Sequence, residues 1–396
     1  MRRRYCMEVN VPEIRLKGFT EPWEQCELGD VAEFKNGMNF AKEAMGHGFP
    51  FVNLQNVFGR TIVDTDSLGL AESNEQQRRD YDLRKGDVLF IRSSVKPEGI
   101  GEAAIIPFNL TDTTYSGFII RCRMIDGFAD KFKQYVFGTN SFRNQILNRA
   151  TTSANTNINQ DSLSKMVIRF PSEEEQTQIG EFFHALDKNI TLHKQKLDGL
   201  RKLKKGYLQK MFPQAGETVP RVRFDGFTEP WEQRKLGDIS VIVVGGDIDK
   251  SKLLTTGRYP VIANALTNDG VVGYYENDYK IEAPAVTVTG RGDVGFAQAR
   301  KLNFTPVVRL LTVKSDFDTD FLANAINQLD VFVESTGVPQ LTSPQLANYE
   351  IIYPNNEEQT AIGNFFRNLD SKITTQSQKV EQLKQLKAAY LQKMFI

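Results

Sequence analysis

Residues 174–212 read EEQTQIGEFFHALDKNITLHKQKLDGLRKLKKGYLQKMF, a pattern that predicts one long helix. The apolar residues recur every three or four positions, so they would lie along one face of that helix. Pro171 stands shortly before the stretch and Pro213 directly after it, which marks both helix ends. At about 1.5 Å per residue the helix would be about 58 Å long, which is typical of a spacer.

The same stretch returns at the end of the chain. Residues 357–395 match it at 23 of 39 positions with an offset of 183. A heptad assignment gives both copies an apolar seam, and we expect the copies to pair as an antiparallel coiled coil. Packing of each helix on its own domain alone is the alternative. The predicted seam residues are Phe183, Leu186, Ile190, Leu197, Leu200, Tyr207 and Met211, with Phe366, Leu369, Ile373, Val380, Leu383, Tyr390 and Met394.

A second repeat precedes each half of the chain. Residues 12–30 (PEIRLKGFTEPWEQCELGD) recur as residues 220–238, with 13 of 19 positions identical. We call these two segments the lead-ins. Each lead-in holds one tryptophan, Trp23 or Trp231, and the chain has only these two. We expect them to anchor a domain boundary by packing, rather than to stack on a ligand from an exposed position.

A mixed α/β domain separates each lead-in from its long helix. Alternating apolar residues predict strands, and helical spacing predicts short helices over 131–148 and 320–330. The predicted strands are 51–57, 88–92 and 118–124 in the first domain, and 259–262, 271–275, 285–289 and 307–313 in the second. The closing strand before each helix also follows the offset of 183, whereas the domain interiors share little identity.

The sequence therefore predicts an α+β chain with two mixed α/β domains, each followed by a long helix, and with pseudo-twofold symmetry. The predicted segments are a loose tail (1–10), a first domain with lead-in (11–171), a central spacer helix (172–213), a second domain with lead-in (214–353) and a C-terminal spacer helix (354–396).

Composition limits the classes of function. The 396 residues include 49 Lys and Arg against 49 Asp and Glu, so the chain is not basic throughout. If it binds nucleic acid, local patches or a partner must supply the positive charge. Three cysteines without ligand spacing are too few for a disulfide framework or a metal cage. The sequence shows no apolar run long enough to span a membrane, so we expect a cytoplasmic chain. Because ligand spacing is missing, we also expect a chain without a bound metal.

The repeated elements resemble the specificity subunit of type I restriction–modification systems. The resemblance rests on GFxxxWxxxxLGD at 18–30 and 226–238, and on the two helices that share EEQxxIxxFFxxLDxxI and end in YLQKMF. KGDVLF at 85–90 and TGRGDVG at 289–295 also resemble the target-recognition domains of that family. The resemblance covers essentially the whole chain.

The resemblance implies that each target-recognition domain reads one half of an interrupted sequence in double-stranded DNA. It also implies that the helices set the gap and bind two methyltransferase subunits, to which motor–nuclease subunits attach. S-adenosylmethionine, ATP and Mg would then belong to the partners. In keeping with this, the sequence has no Asn/Asp-Pro-Pro-aromatic loop and no phosphate-binding loop ending in Lys-Ser/Thr, so we expect a non-catalytic subunit.

Candidate DNA contacts are polar and basic residues in loops between predicted strands. Such side chains can reach base edges or phosphates, and loops tolerate variation. The candidates are Arg92, Ser93, Ser94, Lys96, Arg149, Thr151, Thr152 and Asn155 in the first domain, and Asn264, Thr289, Arg291, Ser335 and Thr336 in the second.

Two other classes of function stay open. A fused nuclease or methyltransferase is disfavoured by the missing motifs. We expect the acidic groups Asp247 with Asp249, and Asp316, Asp318 and Asp320, to be surface residues rather than metal ligands. A scaffold whose two domains grip proteins is compatible with the zero net charge. The scaffold would show no DNA binding that weakens with salt, whereas a DNA reader would.

Overall fold

The computed structural model describes residues 7–9, 11–125, 127–152, 155–214, 216–331 and 339–396. The chain divides into two compact units. Unit 1 comprises Met1–Leu192 with Val380–Ile396, and unit 2 comprises His193–Lys379. Both units contain sheets, short helices and parts of two long helices. Within the described residues, no helix is both long enough and apolar enough to cross a membrane.

The described residues of unit 1 form four sheets, ordered β1-β2-β13, β3-β10-β6-β8, β5-β4-β9 and β11-β12-β7. Its strands are β1 (Met7–Val9), β2 (Trp23–Glu27), β3 (Ala32–Asn36), β4 (Met45–Val52), β5 (Gly69–Ala71), β6 (Val88–Ile91), β7 (Ser93–Ser94), β8 (Ala103–Ile105), β9 (Thr114–Tyr115), β10 (Ile119–Met124), β11 (Thr151–Thr152), β12 (Thr156–Asn157) and β13 (Val167–Phe170). Its helices are α1 (Leu28–Val31), α2 (Glu75–Asp80), α3 (Asp130–Val136), α4 (Asn140–Arg149), α5 (Gln160–Ser164) and the first part of α6 (Glu173–Met211).

In the part of unit 2 that the structure describes there are three sheets, ordered β14-β22, β15-β21-β18-β19 and β17-β16-β20. Its strands are β14 (Glu232–Lys235), β15 (Val241–Val244), β16 (Tyr259–Ile262), β17 (Val271–Tyr275), β18 (Ala285–Thr289), β19 (Ala297–Arg300), β20 (Thr305–Pro306), β21 (Leu310–Lys314) and β22 (Glu350–Tyr353). Its helices are α7 (Leu236–Ile239), α8 (Thr319–Ile326), α9 (Ser343–Asn348), most of α10 (Asn356–Lys393) and the rest of α6.

The two units share one topology although their interiors share little identity. The antiparallel sheet β3-β10-β6-β8 of unit 1 corresponds to β15-β21-β18-β19 of unit 2. In both units a neighbouring sheet contains a parallel pair, β4 with β9 and β16 with β20. The prediction of two mixed α/β domains, each followed by a long helix, is confirmed.

Strand β6 shows why short apolar runs become central strands here. All four of its residues are buried, and they alternate between two faces of the sheet. Val88 and Phe90 belong to the core that includes Trp23 and Phe183, whereas Leu89 and Ile91 belong to a second core. A strand covered on both faces reads as a continuous apolar run rather than as an alternating one.

The long helices run antiparallel in both units. In unit 1, Asp187 of α6 accepts a 2.6 Å hydrogen bond from Lys387 of α10, and Phe182 lies against Tyr390. In unit 2, Lys204 pairs with Asp370 at 2.6 Å and Tyr207 lies against Phe365. As residue numbers rise along α6, the numbers of the residues contacted on α10 fall. The predicted antiparallel pairing is therefore confirmed.

Burial along the helices follows the predicted seam. Leu186, Leu200, Tyr207, Ile373 and Tyr390 are half-buried, and the other predicted seam residues are buried. The sequence analysis missed the polar contacts in this seam. Lys204 and Lys387 hold the same position in the two copies, and Gln376 donates a 2.9 Å hydrogen bond to the carbonyl oxygen of His193. Such polar contacts favour one register over others.

The tryptophans anchor the lead-ins, as predicted. Trp23 is fully buried in unit 1 and packs edge-on against Phe132 and Phe395, with ring centroids 6.4 and 6.3 Å apart. In unit 2, Trp231 packs in the same way against Phe321 and Phe212, at 5.8 and 6.0 Å. Phe395 follows α10 and Phe212 follows α6. Each tryptophan therefore packs at the end of a long helix other than the one that follows its own domain.

A buried ion pair ties each lead-in to the start of a long helix. Nε and Nη2 of Arg15 donate to the two carboxylate oxygens of Glu175 at 2.7 Å each. Nε and Nη2 of Arg223 donate to Glu358 at 2.6 and 2.7 Å. These hydrogen bonds raise the pKa of both arginines above the usual value. The sequence analysis did not identify either pair.

Several predicted boundaries were wrong. The predicted helix over 131–148 is broken between α3 and α4, because Thr139 caps the start of α4 by accepting from Phe142 N. The strand predicted over 51–57 ends at Val52, where Asn53 begins a capped 3₁₀ turn. The loose tail predicted over 1–10 contains strand β1, which pairs with β2 through backbone contacts such as Met7 with Gln25.

Candidate nucleic-acid interface

In unit 1 the structure brings together two candidate stretches that are far apart in the sequence. Strand β12 pairs with β7, so that Thr156 lies opposite Ser94 and Asn157 opposite Ser93. Strand β11 lies on the other side of β12, which adds Thr151 and Thr152 to the same small sheet. We call this sheet with its flanking residues 92–96, 149–152 and 155–157 the unit 1 reading surface.

The side chains of this surface differ in availability. Lys96, Arg149 and Thr151 are exposed. The Ser94 hydroxyl donates to the Lys96 carbonyl at 2.7 Å, and Nη1 of Arg92 donates to the Gly117 carbonyl at 3.3 Å. Ser93 is buried, Asn155 is half-buried, and the side chain of Thr152 lies outside the described residues. The exposed lysine and arginine are therefore available to a ligand, whereas the Ser94 hydroxyl is used within the loop.

An apolar cleft adjoins the polar residues of the unit 1 reading surface. Its volume is about 420 Å³. Three of its apolar side chains are well exposed: Val95 at 83%, Phe118 at 54% and Phe58 at 49%. Apolar side chains in a DNA interface can contact the thymine methyl group. The sequence analysis missed Phe58 and Phe118 because a single exposed aromatic residue has no periodic signal. The lining residues are Leu54, Phe58, Ile91, Ser93, Ser94, Val95, Lys96, Phe118 and Asn155.

Unit 2 has an equivalent surface after strand β18. Leu341 N donates to the Gly290 carbonyl at 3.0 Å, as Ile158 N donates to the Arg92 carbonyl at 3.0 Å in unit 1. Arg291 then forms an antiparallel bridge with Gln340. Arg291 therefore occupies the place of Ser93, and we call residues 290–293, 308–309 and 339–341 the unit 2 reading surface.

Two candidates of unit 2 support the turn instead of facing outward. The Asn264 side chain accepts from Gly290 N at 2.8 Å and donates to the Val308 carbonyl at 3.1 Å. The buried Thr289 hydroxyl donates to the Asp293 carbonyl and accepts from Phe296 N at 2.9 Å. Arg291 is exposed. Ser335 and Thr336 lie outside the described residues.

Replacing Thr289 by valine is expected to lower the free energy of unfolding by about 1–3 kcal/mol, because the partly buried Phe296 N–H loses its acceptor. Urea denaturation would measure this loss. Thr151→Val is the control, since Thr151 is exposed and its substitution should change stability little. Unchanged stability together with lost DNA binding would instead show that Thr289 contacts DNA directly.

The acidic residues considered as metal ligands have structural roles. Asp249 accepts from Ser251 N at 3.0 Å, and Asp318 caps α8 by accepting from Phe321 N at 2.9 Å. Asp320 pairs with Lys301 at 2.8 Å. In the described parts of the chain, no group of three or more His, Cys, Asp or Glu side chains could hold a metal ion.

The sequence analysis also missed Arg309 and Gln340. Nη1 of Arg309 donates to Oε1 of Gln340 at 2.8 Å. The sequence predicted a strand over 307–313, but β21 begins only at Leu310, and Arg309 has a φ of 69°. No pattern in the sequence marks a left-handed arginine, so this contact could be found only in the structure.

Comparison with known proteins extends over both halves. The family model for the type I restriction modification DNA specificity domain matches residues 20–202 and 228–385. A type I restriction enzyme specificity subunit (MjaVIII) of Methanocaldococcus jannaschii is 22% identical over 423 positions, covering 97% of this chain and 94% of its own. Each matched range of the family model holds one domain and part of one long helix.

Two solved structures share the fold over almost the whole chain. The S subunit of a type I restriction–modification system from M. genitalium superposes with a TM-score of 0.65 at 15% identity, covering 98% of this chain and 99% of that one. A chain from a structural study of complex assembly in a type I restriction–modification system gives 0.56 at 17% identity, covering 93% and 96%.

Proposed function

The chain belongs to the type I restriction–modification DNA specificity family, and from this premise we propose that each of its units reads one half of an interrupted DNA site. The observation that carries the proposal is the pair of equivalent reading surfaces. Both follow the central strand of the four-stranded sheet, β6 or β18, and both are closed by the segment that leads to Ile158 or Leu341. Two surfaces with the same backbone arrangement and different side chains can recognise two different DNA sequences.

The exposed positive side chains of the reading surfaces support binding to DNA with modest affinity. Lys96 and Arg149 are exposed in unit 1, and Arg291 is exposed in unit 2. Because the whole chain has no net charge, these local cations must work with positive charge from partner subunits. We therefore expect the assembled complex to bind DNA with a steeper salt dependence than this chain alone.

The long helices have the features of a ruler. The α6 helix runs unbroken over 39 residues and α10 over 38, and both pair by apolar and polar seam contacts. We assign to this pair the setting of the gap between the half-sites and the docking of two methyltransferase subunits, through which motor–nuclease subunits join. Catalysis, with S-adenosylmethionine, ATP and Mg²⁺, would then reside in those partners in the cytoplasm, and this chain would direct adenine methylation and restriction.

The test is methylation mapping. The chain would be expressed with its cognate methyltransferase subunit in a host without DNA methylation, and the genome sequenced with detection of modified bases. We expect one interrupted motif, methylated on adenine in both halves. Exchanging residues 27–170 for those of another family member should change one half only, and exchanging residues 235–353 should change the other.

The controls separate failure of assembly from failure of recognition. Co-purification of the two subunits by size-exclusion chromatography would show that the complex forms. An assembled complex that methylates nothing and binds DNA without salt dependence would contradict the proposal and favour a protein-interaction scaffold. A domain exchange that alters both halves at once would contradict independent reading.

A further inference from the structure

Arg309 holds an unusual backbone conformation at the unit 2 reading surface. Its φ of 69° lies in the left-handed region, which is costly for a residue with a β-carbon. Such conformations persist where surrounding contacts impose them, and they cluster at functional sites. Arg309 directly precedes β21, whose first residue Leu310 accepts a backbone hydrogen bond from Gly245 N at 2.7 Å. The fold therefore fixes the point from which this long cationic side chain departs.

The Arg309 side chain is also oriented. Nη1 donates to Oε1 of Gln340 at 2.8 Å, and the backbone of Gln340 is itself held by its bridge with Arg291. Arg291, Arg309 and Gln340 thus lie next to one another at the same end of the sheet. Among the described residues, no carboxylate forms an ion pair with Arg291 or Arg309, so neither charge is neutralised within unit 2 as far as it is described.

We propose that Arg309 reads a guanine in the half-site bound by unit 2, with Gln340 as the residue that positions it. The guanine edge in the major groove presents two acceptors, O6 and N7, which match two parallel N–H donors of a guanidinium. The bond to Gln340 uses one N–H of Arg309 and leaves others for the base. Orientation before binding reduces the conformational entropy lost on contact. This inference rests on the proposed function and names one base of the site.

The corresponding position of unit 1 has a different chemistry. Ile119 accepts from Gly37 N at 3.0 Å, as Leu310 accepts from Gly245 N, so Phe118 is the counterpart of Arg309. Phe118 is 54% exposed and lines the apolar cleft with Val95. A phenylalanine cannot accept or donate the hydrogen bonds that distinguish guanine. The guanine contact of Arg309 therefore has no equivalent at this position of unit 1.

A purely structural role for Arg309 makes a different prediction. If the bond to Gln340 only fastened the segment that ends in β22, its loss would weaken methylation at all sites alike. Loss of a base contact would instead relax the motif at one position. Methylation mapping of Arg309→Ala separates the two roles, because it records specificity at every position together with the overall extent of methylation.

We expect Arg309→Ala to admit other bases at one guanine of one half-site, reducing discrimination there by about 10- to 100-fold. Arg309→Lys should retain part of it, and Gln340→Ala should relax the same position more weakly. Arg258→Ala is the matched control, since Arg258 is an exposed arginine of unit 2 that lies against Tyr259. Phe118→Ala should leave that guanine unaffected.

A binding experiment tests the contact atom itself. Duplexes carrying the mapped motif would have each guanine replaced in turn by 7-deazaguanine, which keeps base pairing but lacks the N7 acceptor. The wild-type complex should bind one such duplex about 5- to 30-fold more weakly. The Arg309→Ala complex should not distinguish that duplex from the unmodified one.

The outcomes of the two experiments are distinct. The inference is overturned if Arg309→Ala methylates an interrupted motif with the same specificity at every position. It is also overturned if every guanine of the motif can be replaced by 7-deazaguanine without weaker binding. Either result leaves the proposed function standing. A wild-type complex that assembles and produces no motif overturns both. Uniform loss of methylation without relaxed specificity assigns Arg309 a structural role.

Discussion

Replacing Arg223 by alanine is expected to lower the free energy of unfolding of unit 2 by about 3–5 kcal/mol. Glu358 has no exposed surface, and both of its carboxylate oxygens accept from Arg223 at 2.6 and 2.7 Å. Nη2 of Arg223 also donates to the Glu229 carbonyl at 2.6 Å. Removal of the arginine would leave a buried carboxylate without its counter-charge and remove the ion pair between the lead-in and α10.

Hydrogen exchange measured by mass spectrometry would locate the effect. Protection should fall mainly within residues 193–379, which form unit 2, and Arg15→Ala should produce the same loss in unit 1. Arg221→Ala is the matched control, because Arg221 pairs with Glu217 at 3.3 Å on the surface, where solvent screens the charges. Equal destabilisation by Arg221→Ala and Arg223→Ala would show that burial of the pair does not matter.

The buried ion pairs could have been found from the repeats. Arg15 and Arg223 are identical in the two lead-ins, and Glu175 and Glu358 are identical in the two helices, at offsets of 208 and 183. A charge of each sign retained in both copies, beside interiors that differ, is a signal for a structural pair. The repeats therefore carry information on contacts as well as on segment boundaries.

Local signals predicted the repeating framework well. The heptad pattern placed the long helices within one or two residues of α6 and α10, because helix formation and seam burial depend on residues close in sequence. Strands β16, β17 and β18 were predicted with correct ends for the same reason. The break at Thr139 was missed because apolar residues continue at helical spacing on both sides of the cap.

The reading surfaces were only partly predictable. Polar loop composition selected residues 92–96 and 149–157, but their meeting through β7 and β12 is a long-range contact without a sequence signal. The same composition selected Thr289 and Asn264, whose side chains stabilise a turn. Arg309 was not predicted, because the orientation of its side chain depends on a left-handed backbone and on a partner 31 residues away.

The ruler assigned to the long helices predicts a large change in sequence recognition. Seven residues added to both α6 and α10 would lengthen the pair by two helical turns, about 10 Å, or about 3 base pairs at 3.4 Å each. We expect methylation to move from the original motif to one with the same half-sites and a gap longer by about 3 base pairs. Methylation mapping of the variant would measure this directly.

The contacts of unit 1 fix where the two insertions belong. Asp187 pairs with Lys387, so Asn189, two residues further along α6, lies opposite position 385 of the antiparallel α10. Seven-residue insertions after Asn189 and after Lys384 would keep the apolar seam in phase, because seven residues are one heptad. The same insertion in α6 alone is the control, and it should abolish methylation by putting the two helices out of register. Altered half-sites with an unchanged gap would refute the assignment, because a ruler changes the distance between two reading surfaces and leaves the side chains of both in place.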